Sequence, residues 1–280
     1  GVPTVGGMVA ANVSGPRRIQ AGACRDSLIG VRFVDGTGTA IRNGGRVMKN
    51  VTGYDLVKLM AGSRGTLGVL TEVAFKVLPA PEAAATLLIR GLDDGAAIRA
   101  LAAGLGSPFE VSGAAHAPGG PEGPVTMLRI EGFAASVDYR AGRLVELLAR
   151  HGAAEVLRDP EEGARLWRAV RDVEVFAGRP GDVWCLSVKP SDGPEAAARA
   201  GGEALYDWGG GRVWVLVEAG TDVRARLGDL KGHATLVRAR AETRRRIAPI
   251  PPDPAPVAAL AEGLRRRFDP RGILNPGVMA

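Results

Sequence analysis

PTVGGMVAANVSG, residues 3–15, is the stretch on which the fold turns. Its paired glycines, Gly6 and Gly7, let a backbone come close to a phosphate or a ring and aim N–H groups at it. Ala10 and Ala11 leave space beside them, and Asn12 and Ser14 offer side-chain hydrogen bonds. The same residues also read as a glycine-rich turn entering a packed helix. A second stretch, GSRGTLG at 62–68, runs straight into a predicted strand. It lacks the lysine of a Walker loop, and neither stretch has the G-x-G-x-x-G spacing of a Rossmann site. Its three glycines at spacing three suit either a β-turn or a row of backbone donors to a cofactor. A third stretch, GGRVMKNVTGYDL at 44–56, places Lys49, Asn50, Tyr54 and Asp55 after a glycine pair. It reads equally as a strand and a cap before a helix, with Thr52 or Asp55 as the N-cap.

Outward from these motifs, residues 1–80 are dense in glycine and short apolar runs. Residues 31–34 and 40–42 flank an Asp35-Gly36 turn and predict a hairpin. Tyr54, Val57 and Met60 have helical spacing, and 69–78 reads as a strand stopped by Pro79 and Pro81. Beyond those prolines the texture changes. Strands are predicted at 86–90, 109–115, 125–131, 155–157, 183–189, 204–208 and 212–218, with helices at 95–105, 137–150, 160–173, 195–200 and 256–268. Strands with helices of this length between them predict an α+β sandwich of the split β-α-β kind, with its halves repeated.

The chain has 280 residues, 36 basic and 30 acidic side chains, and 46% apolar residues, which is a globular composition and excludes a disordered linker. No apolar run approaches the ~18 residues of a membrane span. Residues 1–80 and 231–280 each hold 10 basic and 4 acidic side chains, whereas 81–230 hold 16 and 22. Two basic terminal segments therefore bracket an acidic middle, as expected if the two ends share an anionic cofactor. Nucleic acid is a poor partner: aromatics are few, they are not interleaved with the arginines, and no helix-turn-helix, zinc-finger or RNA-recognition pattern is present. Cys24 and Cys185 form neither a disulfide framework nor a metal motif, so the chain reads as cytoplasmic.

Residues of catalytic type are scattered. His116, His151 and His233 lie far apart, without metal-ligand spacing, so no metal site is expected. His116 reads as a surface-loop residue, His151 as solvated, and His233 as the start of a strand. Cys24 beside Arg25 suggests a lowered thiol pKa, set against a plain core role. No G-x-S-x-G elbow exists.

Taken together, VGGMVAANVSGPRR (5–18), GACRD (22–26), residues 44–56, LMAGSRGTLGVLTE (59–72), GHATL (232–236) and FDPRGILNPG (268–277) resemble the PCMH-type (vanillyl-alcohol-oxidase-type) FAD-binding flavoproteins. Among these the run at 45–56 is most similar to the FAD-binding subunits of bacterial glycolate oxidases. The resemblance implies an α+β chain: the second subdomain of a PCMH-type FAD domain at 1–80, an inserted split β-α-β (ferredoxin-like) cap at 82–231, and a return segment at 232–280. It implies that the first FAD subdomain precedes Gly1, and that the chain as written binds FAD weakly. It places Thr4, Gly6, Gly7, Asn12, Ser14 and Gly15 along the cofactor. Gly22 and Asp26 would support that loop. Gly62, Ser63, Gly65, Gly68 and Val69 would offer further contacts, and Asn275 would approach the isoalloxazine.

The activity implied is oxidation of glycolate to glyoxylate through FAD, in a complex with a D-type flavin subunit and an iron–sulfur subunit. Any association with the inner face of the membrane would be made through that complex. The catalytic relatives carry a His/Glu metal cluster, and an arginine is expected where Cys185 stands. Both departures point to a subunit that supports the D-type partner. The alternative is a stand-alone PCMH-type flavin dehydrogenase for another 2-hydroxy acid.

Overall fold

Asp and Thr side chains cap several helices, short and long, in the computed structural model, which describes residues 3–45, 53–120 and 123–279. Asp93, Asp159 and Asp222 each accept a backbone N–H three residues ahead, at 2.7, 2.7 and 3.2 Å, which satisfies one of the orphan donors of a first turn. The elements run α1 (Val5–Ala10), α2 (Arg18–Ala21), α3 (Cys24–Ser27), β1 (Leu28–Val34), β2 (Ala40–Gly44), α4 (Leu56–Met60), β3 (Val69–Phe75), β4 (Ala83–Arg90), α5 (Asp94–Leu105), β5 (Gly113–Ala117) and β6 (Val125–Gly132). They continue with α6 (Ala134–Leu148), β7 (Ala154–Leu157), α7 (Pro160–Asp172), β8 (Asp182–Val188), α8 (Gly193–Ala200), β9 (Glu203–Asp207), β10 (Arg212–Val217), α9 (Val223–Leu227), β11 (Gly232–Arg238), α10 (Ala241–Arg246) and α11 (Ala255–Phe268).

The chain divides into two units. The first comprises residues 1–15, 22–79 and 252–280. Its sheet is antiparallel with the order β2-β1-β3, and β1 and β2 form the expected hairpin around Asp35, whose carboxylate binds the N–H groups of Thr37 and Thr39. Val9, Leu28, Val31, Phe33, Val57, Met60 and Leu67 make its core. Each such side chain, once buried, contributes roughly 1.5–3 kcal/mol. Phe268 from the end of α11 meets Phe33 with ring centroids 6.0 Å apart, so the C-terminal segment closes this core. Asp55 caps α4 through the Lys58 N–H at 3.1 Å. The rest of the 44–56 motif, 46–52, lies outside the described residues.

The second unit comprises residues 16–21 and 80–251. Its eight-stranded antiparallel sheet has the order β11-β8-β10-β9-β5-β6-β4-β7. Taken as two halves, each is a β-α-β-β-α-β set: β4-α5-β5-β6-α6-β7 and β8-α8-β9-β10-α9-β11. In each half the strands fall in the ferredoxin-like order fourth, first, third, second. The repetition read from the sequence is therefore present, and the second strand of each half lies at the seam, where His116 of β5 pairs with Tyr206 of β9. Alternation along the strands separates the faces. Leu87, Ile89, Leu128 and Ile130 pack with α5 and α6, and Val213 and Val215 with α8. On the opposite face Leu88, Ala115 and Met127 pack with Trp167 and Val170 of α7.

Three sequence expectations need correction. The return segment does not begin at 232. Residues 232–238 form β11, antiparallel to β8, and Leu236 donates its N–H to Pro249 O at 2.9 Å, which holds the chain in the second unit as far as 251. The strand expected at 109–115 is β5 at 113–117, because Glu110 takes a positive φ of 51° that breaks extended structure. His116 is not a loop residue: its side chain is fully buried, with Nδ1 2.9 Å from the Thr126 hydroxyl.

Candidate functional site

Three loops of the first unit are stitched together by backbone and amide hydrogen bonds. Gly62 and Arg64 donate their N–H groups to Val9 O at 3.0 Å and Ala10 O at 2.8 Å. Asn275 then donates its side-chain amide to Arg64 O at 2.7 Å. The glycine stretches at 3–15 and 62–68 and the C-terminal Asn-Pro-Gly are thereby neighbours, although they stand far apart in sequence. Every residue predicted to line the cofactor belongs to this unit.

Their local roles differ. Thr4 caps α1, its hydroxyl accepting the Gly7 N–H at 3.0 Å, so Gly6 and Gly7 lie in the first turn of a short helix. The turn-into-helix reading of 3–15 thus coexists with the cofactor reading. Asn12 takes φ 46° and accepts the Arg25 N–H through Oδ1 at 2.9 Å. Ser14 and Gly15 follow, both half-buried, before the chain leaves this unit. Gly22, at φ 75°, brings it back beside Asp26, whose Oδ2 accepts the Ala23 N–H at 2.7 Å. Asp26 is spent on holding this turn of the chain.

In the second loop Gly65 sits at φ 73°, and a Cβ there would come 2.8 Å from the Asn275 amide. Gly68 is needed for closeness: a Cβ would lie 2.6 Å from the Phe33 ring. Val69, the first residue of β3, is exposed. The Ser63 hydroxyl is buried without a hydrogen-bond partner. Beside Asn275 lies an open cleft of about 710 Å³ lined by Thr66, Arg265, Arg266 and Arg271, with Glu262 paired to Arg265 and Arg266 at 3.2 and 2.9 Å. The loops offer close backbone, an orphaned hydroxyl and positive charge. Such a cradle suits an anionic, planar dinucleotide.

Of the two readings of Cys24, the plain core role holds, for it packs against the core of the first unit. Burial pushes its thiol pKa up, and the adjacent Arg25 does not reverse that.

The second unit holds a charged cluster that lies outside every motif named above. Arg129 stacks on Trp167 at 4.6 Å, donates to Ser112 O at 3.0 Å and pairs with Glu131 at 3.2 Å. Arg212 lies between the Trp208 and Trp214 rings, at 4.7 and 4.3 Å, with Nε 3.4 Å from Cys185 Sγ. Asp207 is buried and accepts the Trp208 N–H at 2.8 Å. Burial pushes its carboxyl up to about 6, against the pull of Arg212 and Arg129. Cys185 stands at the expected arginine position, and its thiol is raised by burial more than Arg212 lowers it. The available signal was an arginine inside an apolar strand, Arg129 within 125–131, which an alternation count passes over. Among the described residues no group of three or more His, Cys, Asp or Glu could hold a metal ion, and no helix is long and apolar enough to cross a membrane.

Comparison with known proteins decides the family. The chain is 36% identical over 278 residues to glycolate oxidase subunit GlcE of Escherichia coli K12, covering 99% of this chain and 71% of that protein. The chain belongs to the GlcE family. Residues 1–44 match the FAD binding domain family. Glycolate oxidase subunit GlcD of Bacillus subtilis is 45% identical over 87 residues, 31% of this chain and 18% of that one. The fold of this GlcE-family chain is shared with alkyldihydroxyacetonephosphate synthase, at a TM-score of 0.63 and 16% identity, over 97% of this chain and 58% of that structure. That likeness carries the architecture of the PCMH-type flavoproteins and nothing about substrate.

Proposed function

We propose that this chain is the FAD-binding subunit of a glycolate oxidase, working with a D-type flavin subunit and an iron–sulfur subunit on the cytoplasmic side of the cell. The observation that carries the reading is the 36% identity to GlcE along 99% of the chain. The stitched loops support the cofactor half of it. Gly62, Ser63 and Gly65 would hold the flavin from one side, and Asn12 and Ser14 from the first loop. Asn275, fixed by its bond to Arg64 O, would present the C-terminal segment to the ring system. Gly68 and Val69 would form the floor, and Asp26 would keep Gly22 and Gly15 in place. When bound, FAD supplies a two-electron acceptor for the hydride of a 2-hydroxy acid, while the protein supplies orientation and electrostatics.

The test is purification of the full-length protein with its partner subunits, read by flavin absorption and glycolate-dependent dye reduction, with cell fractionation for its location. A complex that still oxidises glycolate at the normal rate after deletion of this gene would overturn the proposal.

A further inference from the structure

The hairpin turn between β1 and β2 carries a glycine that the turn itself does not require. The left-handed conformation there falls to Gly38, at φ 86°, and not to Gly36. Gly36 is needed for closeness instead. Its N–H donates to Phe268 O at 2.8 Å, and a Cβ on it would stand 2.8 Å from the Asp269 Cα and nearer still to that carboxylate. The turn is therefore a seat for the chain at 268–269, and all of these residues lie in the first unit.

Asp269 is buried in that seat, which an acidic side chain seldom is. Its Oδ1 is buried without a hydrogen-bond partner, and that has a cost. Its Oδ2 accepts the Leu274 N–H at 2.7 Å. Between the two residues the chain turns through Gly272, at φ 64°, whose N–H donates to Asp269 O at 3.2 Å. The carboxylate thus closes the loop 269–274. The next residue is Asn275, which is exposed, takes φ 43° and donates its amide to Arg64 O at 2.7 Å. Asparagine tolerates this left-handed conformation better than most residues, yet its surroundings must hold it there. The hydrogen bond made by Asp269 ends one residue before it.

We propose that Gly36 and Asp269 are positioning residues for Asn275: the hairpin turn seats the carboxylate, the carboxylate fixes Leu274, and Asn275 is thereby held ready for FAD beside the second glycine loop. This rests on the FAD reading above. A loop whose ends are already joined has less conformational freedom to lose when a ligand arrives, so affinity rises through preorganisation.

The experiment uses the full-length protein and its Asp269→Ala, Asp269→Asn, Gly36→Ala, Asn275→Ala and doubly substituted Asp269→Ala/Asn275→Ala variants. Flavin fluorescence measures FAD affinity, and the visible circular dichroism of bound flavin reports the surroundings of its ring. Asp269→Ala, Gly36→Ala and Asn275→Ala are each expected to weaken FAD about tenfold with the same change in the flavin spectrum. The double variant should be no worse than either single one, because the aspartate acts through the asparagine. Asp269→Asn keeps an acceptor oxygen and should restore both readouts. Trypsin cleavage after the exposed Arg271, located by peptide mass, needs no FAD. Asp269→Ala and Gly36→Ala should speed it about tenfold by freeing the loop, and Asp269→Asn should leave it near the parent rate. If Asp269→Ala does not fold, Gly36→Ala carries the same test with every hydrogen-bonding group in place. An unchanged flavin spectrum in these variants, additive losses in the double variant, or cleavage at the parent rate would overturn the inference. A parent protein that binds no FAD would instead overturn the cofactor reading, while the cleavage rates would still judge the hold of Asp269 on the loop.

Discussion

Gly65→Ala tests whether the C-terminal Asn275 is seated on the second glycine loop as the geometry requires. Two costs combine. At φ 73° an L side chain costs roughly 1–2 kcal/mol, less a few tenths regained because alanine restricts the unfolded chain. The new Cβ would stand 2.8 Å from the Asn275 amide, which must then give up its 2.7 Å bond to Arg64 O at a cost of about 1 kcal/mol. The expected loss is about 2–3 kcal/mol. Gly38→Ala isolates the backbone part: Gly38 has φ 86° with nothing within 4 Å of its would-be Cβ, so about 1 kcal/mol is expected. Urea unfolding followed by circular dichroism measures both, and flavin fluorescence follows FAD affinity alongside. In an Asn275→Ala background the collision partner is gone, and Gly65→Ala should cost only what Gly38→Ala does. If Gly65→Ala and Asn275→Ala add without coupling, or if Gly65→Ala costs no more than Gly38→Ala, the seating is wrong.

Asp207→Asn should flatten the pH dependence of stability. Folding raises this carboxyl from 3.8 to about 6, so the native state holds the extra proton between those values. Stability then falls as pH rises from about 4 to about 6, and the whole penalty, on the order of 3 kcal/mol, stands above 6. A variant with the same slope as the parent in urea titrations at pH 4.5 and 7.5 would assign it to another group. Thr86→Val strands the buried Trp167 indole N–H, now 2.9 Å from the Thr86 hydroxyl, and should cost about 1–3 kcal/mol by the same measurement. Wild-type stability in that variant would mean the indole finds another acceptor. Cys185, with its thiol raised by burial, should resist iodoacetamide at pH 7.5 until urea is added. Fast labelling of Cys185 in the native protein, located by peptide mapping, would contradict the raised thiol pKa.

The hairpin at Asp35-Gly36, the helices with an Asp cap and the repeated β-α-β texture were legible because local chemistry sets them. Asp93 and Asp159 stand just before the helices read at 95–105 and 160–173, and each caps its helix. The candidate cofactor residues were legible only as a set of motifs that resemble a family. That Asn275 touches Arg64 O is a long-range fact no local pattern encodes. The same limit hid the true edge of the second unit. GHATL at 232–236 matched the family's C-terminal segment, yet its ladder partner is β8, and pairing across the sheet decides membership. His116 was misplaced because one histidine between alanines carries no periodic signal. Its burial depends on Thr126 and on Asp94, whose Oδ1 lies 3.4 Å from Nε2.

The seam between β5 and β9 has a consequence for how this sheet avoids sticking to itself. Each half, taken alone, would be a four-stranded sheet with two open borders, and an open border recruits further strands. Back-to-back joining turns two of the four borders inward. Of the two left, β7 is only four residues long, and β11 has Leu236 N–H already occupied by Pro249. Severing the chain between the halves, after Val173 for example, would expose both seam strands at once. The pieces should then aggregate or pair with one another rather than persist as separate soluble domains.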